Sequence, residues 1–262
     1  WLSLPPLDCV VLSLMASRCI TVTLYMASPP LHNQLLSMLP DADHDRLAPH
    51  LEPVELSQGE VIYEAQEPVR SVVFPIDCLI SLVSAVDHSA TEFGLVGNEG
   101  LVGIWTFLGG SSSISKAVVQ VGGHALKLEA AYLKAEFDRC GHLYKILLLY
   151  VQWLLTQTIQ NGACLIHHST DFRLARWILS VQDRLQQDDL HLTQKYIAEL
   201  LGTRRATITH AAGRLQELDL IRYSRGVITI IDRRGLEEHA CECYARLQQE
   251  HERLHAISSI MD

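Results

Sequence analysis

Seven residues between positions 204 and 225 have side chains and spacing suited to gripping an anionic polymer. Arg204, Arg205, Thr207, His210 and Arg214 fall on the outward side of one helical pattern, and Arg222 and Arg225 flank a turn just beyond it. A guanidinium is a planar fork of donors that fits phosphate oxygens, and it also fits the O6 and N7 of a guanine. From Leu190 to Gly235 there are eight Lys/Arg against four Asp/Glu, inside a chain of net charge −9. A local positive face on an acidic chain is what phosphate binding requires. Other chemistry finds no frame. The sequence holds no Ser/His/Asp order, no phosphate-cradling Gly-rich loop and no paired acids in a Gly-rich setting, so no enzyme is expected.

The elements that must position these residues are legible around them. Thr193 can accept an orphan helix N–H, and Tyr196, Ile197, Leu200 and Leu201 follow as an apolar stripe. Gly202 stands where the chain must turn sharply. A second helix, about Arg204 to Leu218, turns Ile208, Ala211, Ala212 and Leu215 inward. Leu218, Leu220 and Ile221 then anchor a strand, Arg222 to Gly226 makes a basic turn, and Val227 to Ile231 returns. Two helices, a tight turn and a basic hairpin describe a winged helix-turn-helix, whose second helix enters the DNA major groove by its N-terminus. The bland alternative is a small helical subdomain with solvated arginines; the local charge favours duplex DNA.

The 262 residues, 48% apolar and 19% charged, suffice for two globular domains. Residues 1–28 are apolar but broken by Asp8, Arg18 and Pro5-Pro6, so they make neither a clean membrane span nor a signal peptide, and no membrane partner is expected. They read as a non-native or disordered extension, with Met26 as a natural start. From Leu51 the apolar period falls to two. The pairs Val54/Leu56, Val61/Tyr63, Val72/Phe74, Ile80/Leu82, Phe93/Leu95, Val119/Val121 and Leu126/Leu128 predict short strands of a jelly roll or barrel. Ala130 to Cys140 reads as a short helix.

His142 to Gln160 is a helix apolar nearly all round, so it must be buried on more than one side. One face can cover the strands. Leu143, Leu147, Tyr150 and Leu154 lie at heptad spacing and can pair with their copies in a second subunit, or the helix can be an ordinary core element. Asn161 to Ser169 should hold a hinge, Phe172 to Leu185 a further helix, and Leu236 to Met261 one last helix with a heptad stripe. Of seven cysteines only Cys241 and Cys243 are close in sequence. No His or Cys at zinc spacing accompanies them, so all seven are expected as reduced thiols and no metal site is predicted. Cys9, Cys19 and Cys78 are too scattered for an iron–sulfur cluster, and His88 and His124 are haem ligands by residue type alone. His167-His168, beside the hinge, could be a pH or metal feature, but a capping and dimer-contact role is the favoured reading.

The run LTQKYIAELLGTRRATITHAAGRLQELDLI, from Leu192 to Ile221, resembles the helix-turn-helix of the CRP/FNR family of bacterial transcription regulators, and the resemblance extends over about Leu31 to Ile231. It implies an α+β fold: an N-terminal β-roll like that of cyclic-nucleotide-binding domains, a long central dimerisation helix and a C-terminal winged helix-turn-helix. The implied divisions are 29–140 for a β-roll sensor domain, 141–168 for dimerisation helix and hinge, 169–235 for DNA binding and 236–262 for a C-terminal helix. It implies a cytoplasmic homodimer on inverted-repeat double-stranded DNA, with RNA polymerase as partner if the protein activates. Arg205 matches the arginine of the family's Ser-Arg-Glu-Thr-Val run, but Ala206 replaces the glutamate.

The family's cyclic-nucleotide sensors hold ribose with a glutamate and the cyclic phosphate with an arginine. At the matching positions stand Gly103, then Ile104 for the glutamate, and Ile114 then Ser115 for the arginine-serine pair, with Trp105 nearby. A buried phosphate without its arginine loses a charge-assisted partner. Cyclic AMP is therefore not expected, no cofactor is predicted, and any effector is unidentified. The competing functional reading is a ligand-binding or protein-interaction module with a vestigial helix-turn-helix.

Overall fold

The computed structural model describes residues 32–86 and 89–258. Residues 1–28 and His88 lie outside the described residues. The described chain opens on two short helices, α1 (Gln34–Ser37) and α2 (Asp41–Leu47). Asn33 caps α1 by accepting from the amides of Leu35 and Leu36, while its amide nitrogen donates to the carbonyls of Pro75 at 3.0 Å and Gly100 at 2.8 Å. One buried side chain thus ties the start of the domain to the strand end at Pro75 and to the loop at Gly100.

Seven strands follow: β1 (Glu52–Leu56), β2 (Val61–Tyr63), β3 (Ser71–Pro75), β4 (Leu79–Val86), β5 (Ser89–Val96), β6 (Lys116–Val121) and β7 (Gly123–Glu129). Each of the seven period-two pairs read from the sequence falls in one of them. They form two antiparallel sheets, β1-β7-β3 and β2-β6-β4-β5. Val72, Phe74, Ile80, Val119 and Leu128 are fully enclosed between the sheets. After α3 (Ala130–Phe137) comes α4 (His142–His167), which runs seven residues past the predicted end at Gln160. The hinge is correspondingly short, at His168 and Ser169.

The C-terminal part contains α5 (Thr170–Leu185), β8 (Asp189–His191), α6 (Gln194–Leu200), α7 (Arg205–Glu217), β9 (Ile221–Ser224), β10 (Val227–Ile230), α8 (Arg233–His239) and α9 (Cys243–Ser258). A sheet of order β8-β10-β9 backs the three helices. Leu174, Trp177, Ile178, Val181, Ile197, Ile208, Ala212, Leu215 and Ile228 share one core there. No helix among the described residues is long and apolar enough to cross a membrane.

Three expectations need correcting. First, Leu143, Leu147, Tyr150 and Leu154 are not an outer face: all four are buried in the β-roll's own core. The β-roll takes one side, where Tyr150 donates from its hydroxyl to the carbonyl of Leu101 at 2.8 Å. Helix α9 runs back along α4, placing Cys243 beside Gln160 and His251 beside Trp153, and it buries Leu247 and Leu254 in the same core. Second, the last helix is two helices. The chain breaks at Ala240, where the backbone turns extended, and the break carries Cys241 and Cys243 inward. Third, those two cysteines do have companions. Cys164 and His168, at the end of α4, bring their ligand atoms into the same cluster, all within 4.8 Å of one another. Sequence distance hid this set, because the end of one helix meets a break more than seventy residues later.

Candidate nucleic-acid interface

The turn between α6 and α7 is built from residues that leave the chain little choice. Thr193 Oγ1 accepts the amide of Tyr196 at 3.3 Å and starts α6. Gly202 has φ of +60°, and a Cβ there would sit 3.0 Å from Thr91 Oγ1 on β5. Inside the turn, Arg173 of α5, itself buried, donates to the carbonyl of Leu201. That arginine fixes the end of α6, a role sequence reading missed. The available signal was a cation on the inward side of an otherwise apolar helix face.

Helix α7 begins without a side-chain cap. Arg204 occupies the cap position in extended conformation, and no side chain bonds the first amides. Uncapped N–H groups and the helix dipole make that end attractive to anions. Arg204, Arg205 and His210 are exposed around it, Thr207 is half-buried, and Ile208, Ala211, Ala212 and Leu215 face the core, as the sequence predicts. Thr209 links α7 to the start of α6 through Gln194 at 2.8 Å.

The wing is tied to the segment before α6 and to the last turn of α7. Tyr223 donates from its hydroxyl to the carbonyl of Leu192 at 2.6 Å, and its amide donates to Gln216 at 2.8 Å. Burial pushes the Tyr223 phenol up to about 12, with the nearby Arg205 charge acting the other way. Arg205 therefore lies within electrostatic reach of the wing. Ser224 pairs with Val227, leaving Arg225 and Gly226 as a two-residue hairpin turn with φ of +51° and +83°. Two positive φ values are the mark of a type I′ turn, in which a non-glycine first residue is strained. Arg222 and Arg225 are both exposed.

Ion pairing sorts the eight cations of this region. Arg233 bonds Asp183 at 2.7 Å and Glu237 at 2.9 Å, Arg234 meets Glu238 at 3.2 Å and Lys195 approaches Glu199 at 4.0 Å. Arg214, at the far end of α7, reaches the buried Asp171 at 3.6 Å. Burial alone would raise Asp171; the Ser169 hydroxyl, its backbone and the Arg214 and His239 charges together hold it below the usual carboxylate range. Arg204, Arg205, Arg222 and Arg225 make no ion pair among the described residues. These four are the ones at the open end of α7 and on the wing.

The β-roll region matched to the nucleotide pocket looks different. Gly103 has φ of +110°, and a Cβ there would press on Val72 and the Ser71 carbonyl. Ile104 and Trp105 follow in a short 3-10 turn, both half-buried. Ile114 is 81% exposed, so it does not line the pocket as expected. Its neighbours point inward instead: Ser113 and Ser115 are buried and bond each other at 2.7 Å. Tyr63 is buried within hydrogen-bonding reach of Trp105, Ser113 and Ser115, and burial raises its phenol. The structure brings Trp105 and Ser115 together and leaves Ile114 outside.

The β-roll and the winged helix also touch. Trp177 of α5 donates to Glu92 on β5 at 3.1 Å, and Ser81 donates to the same carboxylate at 2.6 Å. Burial pushes Glu92 up to about 7, against the opposing pull of Ser81, Trp177, Arg176 and Arg184.

Comparison with known proteins fits this arrangement. Residues 172–239 match the Crp-like helix-turn-helix domain. Among solved structures, a transcriptional regulator assigned to the Crp/Fnr family of Eubacterium rectale is 17% identical, with a TM-score of 0.63 over 79% of this chain and 97% of that one. FixK2 from Bradyrhizobium japonicum is 14% identical, with a TM-score of 0.61 over 73% and 98%. CLP from Xanthomonas campestris, described as a c-di-GMP responsive global regulator, is 13% identical, with a TM-score of 0.60 over 73% and 99%. No curated protein matches the sequence. The chain thus carries a Crp-like helix-turn-helix domain and has the α+β fold of the CRP/FNR regulators.

Proposed function

We propose that this chain is a sequence-specific transcription regulator that binds double-stranded DNA as a homodimer at an inverted repeat. One observation carries the reading. The four arginines that make no ion pair among the described residues, Arg204, Arg205, Arg222 and Arg225, lie at the uncapped end of α7 and on the wing, whose Tyr223 feels the Arg205 charge. Cations left unpaired on an acidic chain are poised for phosphates and base edges. Arg205 is the base reader, reaching guanine O6 and N7 from the first helical residue. Ala206 cannot accept a hydrogen bond, so the half-site departs from TGTGA or TTGAT at the pair that the family's glutamate reads. Arg204, Thr207, Arg222 and Arg225 hold phosphates. His210 stays at the edge of this face, and Arg214 is partly committed to Asp171.

The dimer uses a different face of α4 from the one read in the sequence. Leu148, Gln152, Leu155, Ile159, Gly162 and Ile166 alternate in spacings of four and three, the a/d pattern of a coiled coil. Leu155, Ile159 and Ile166 are 58%, 71% and 77% exposed, an unusual run of large apolar side chains on one helix. A second copy of α4 is the partner this stripe fits. Residues 29–140 then form the sensor-like domain, 141–168 the dimerisation helix and hinge, and 169–235 the DNA-binding domain, with 236–262 folded back as α8 and α9. An effector, if the β-roll takes one, is not cyclic AMP. RNA polymerase is the further partner if the protein activates, and the cytoplasm is where these partners are.

Selection of bound sequences from a random pool of DNA duplexes tests the whole reading. An inverted repeat with half-sites about one helical turn apart, ~34 Å, is expected. Enrichment of no sequence would leave the helix-turn-helix vestigial.

A further inference from the structure

Three thiols and one imidazole converge where α4 ends. Cys164 and His168 are four residues apart, so their side chains share one side of the helix end. Cys241 and Cys243 arrive from the break between α8 and α9. Cys164, Cys241 and Cys243 are buried and form a cluster separate from the two main cores. Cys164 Sγ lies 3.5 Å from Cys241 Sγ, and Cys243 Sγ lies 3.4 Å from His168 Nδ1. All four ligand atoms fall within 4.8 Å of one another.

Those separations discriminate between chemistries. A disulfide would hold its sulfurs at about 2.05 Å. A tetrahedral zinc ion, with Zn–S near 2.3 Å and Zn–N near 2.0–2.1 Å, sets sulfurs about 3.8 Å apart and sulfur and nitrogen about 3.6 Å apart. The observed separations bracket those edges. An iron–sulfur cluster needs its ligands spread around several iron and sulfide atoms, whereas these four ligand atoms all lie within 4.8 Å of one another. We propose that Cys164, His168, Cys241 and Cys243 form a mononuclear, tetrahedral Cys3His site for zinc or a divalent ion of similar softness.

The surroundings suit such a site. Three thiolates, a neutral imidazole and a divalent ion leave a net charge of −1. Arg173 and Arg176 are both buried on α5 within electrostatic reach of Cys164. Arg176 Nε has no hydrogen-bond partner, so part of this buried cation is left for the anionic ligand shell. Gln160 donates to Cys243 Sγ at 2.9 Å, the kind of outer hydrogen bond that orients a thiolate ligand. No fourth cysteine is needed, since Cys3His is a closed structural set. Cys164 and His168 come at the end of α4, before the winged helix, and Cys241 and Cys243 come after it. A bound ion would therefore cross-link the end of α4 to the segment that follows the winged helix, and fix the angle at which that domain leaves α4. This consequence rests on the DNA-binding reading; the metal site does not.

The test uses the full chain, purified with reductant, stripped with a chelator and titrated with cobalt(II) in the absence of DNA. Sulfur-to-cobalt charge-transfer bands and the intense visible bands of tetrahedral cobalt should grow and saturate at one equivalent, and zinc should bleach them. Cys164→Ser and Cys241→Ser should each weaken the bands and lower cobalt affinity by ~10-fold or more. The absence of these bands in the wild-type chain, or bands that survive both substitutions unchanged, overturns the site. If a Cys164–Cys241 disulfide forms without reductant and the reduced chain takes no cobalt, the cluster is a redox pair and the proposal fails. Should the variants not fold, alkylation of the wild-type chain decides. Zinc should slow labelling of Cys164, Cys241 and Cys243 but not of the exposed Cys140, and equal labelling with and without zinc sinks the site.

Discussion

The winged helix and the β-roll use charge in opposite ways. In the winged helix, four arginines stand exposed without acidic partners at one end of α7 and on the adjoining wing. In the β-roll, the positions matched to a phosphate pocket hold Gly103, Ile104, an outward Ile114 and a buried Ser115 bonded to Ser113. Both domains have the fold of the CRP/FNR regulators, yet one carries exposed arginines and the other carries neutral side chains at the matched positions. The lesson is that fold and function separate domain by domain. A DNA face can be argued from charge left unpaired, while a ligand cannot be inherited from a scaffold.

The comparison breaks most sharply at the dimer seam. Leu155→Glu and Ile159→Glu place a charge on the exposed a/d stripe of α4 and leave the subunit core alone. Both should yield monomers by light scattering or ultracentrifugation, and a monomer reads one half-site, so specific affinity should fall by orders of magnitude. If both variants remain dimeric, α4 does not hold the two copies together through this face. Next in size is the reader. Arg205→Ala should cost roughly 1–3 kcal/mol and relax preference at one base pair. Equal losses on specific and scrambled duplexes would remove Arg205 from that role.

A smaller effect separates positioning from reading. Arg225→Asn creates Asn-Gly, the pair best suited to a type I′ turn, at a residue now held at φ of +51°. Stability should rise by on the order of 1 kcal/mol as the left-handed strain is relieved. DNA affinity should fall about equally for all sequences, with the salt slope reduced by about one. A stability gain with no change in salt slope would mean that the wing tip does not touch phosphate.

Much of this was legible from sequence, and the failures have physical causes. Period-two pairs located all seven strands because each strand buries one face between two sheets. Thr193, Gly202 and the inward stripe of α7 were readable because turn chemistry and helical period are local. Which face of α4 is left exposed was not. Leu143, Leu147, Tyr150 and Leu154 follow spacings of four, three and four, and so do Leu148, Gln152, Leu155 and Ile159. A helix apolar on several sides offers two seams, and choosing between them requires knowing where α9 lies. The metal-type cluster failed for a related reason: its two halves belong to elements distant in sequence. Only Cys164, in the last turn of α4, and His168, just past its end, stand close in sequence.

The interface between the two domains offers a pH test. Glu92 is pushed up to about 7 by burial against Trp177 and Ser81, above its ordinary value of 4.5. The folded state therefore binds a proton more readily than the unfolded state across that window. Its stabilising contribution is present in full below the ordinary value and is lost as pH rises through about 7, after which it is constant. Denaturant midpoints taken between pH 5 and pH 8 should fall with rising pH, and Glu92→Gln should flatten that slope. An unchanged slope in the variant would place the titration elsewhere.

The smallest expected effect is none at all. Cyclic AMP and cyclic GMP at millimolar concentration should leave the thermal midpoint of the chain unmoved. Any ligand bound only to the folded state raises stability by RT ln(1 + [L]/Kd), about 2.7 kcal/mol at a hundredfold excess over Kd, so a micromolar site would be plain. The absence follows from particular residues. A cyclic phosphate needs a guanidinium, and Ile114 offers a methyl group facing solvent. The ribose needs an acceptor, and Ile104 has none. Ser113 and Ser115 already satisfy each other, so an entering phosphate would have to break a buried hydrogen bond before making its own. Ile114→Arg alone should not create a site, because the backbone aims position 114 outward. A one-per-chain micromolar isotherm with the unmodified protein would show that the β-roll binds the nucleotide through a different set of residues, and would erase the contrast with the winged helix.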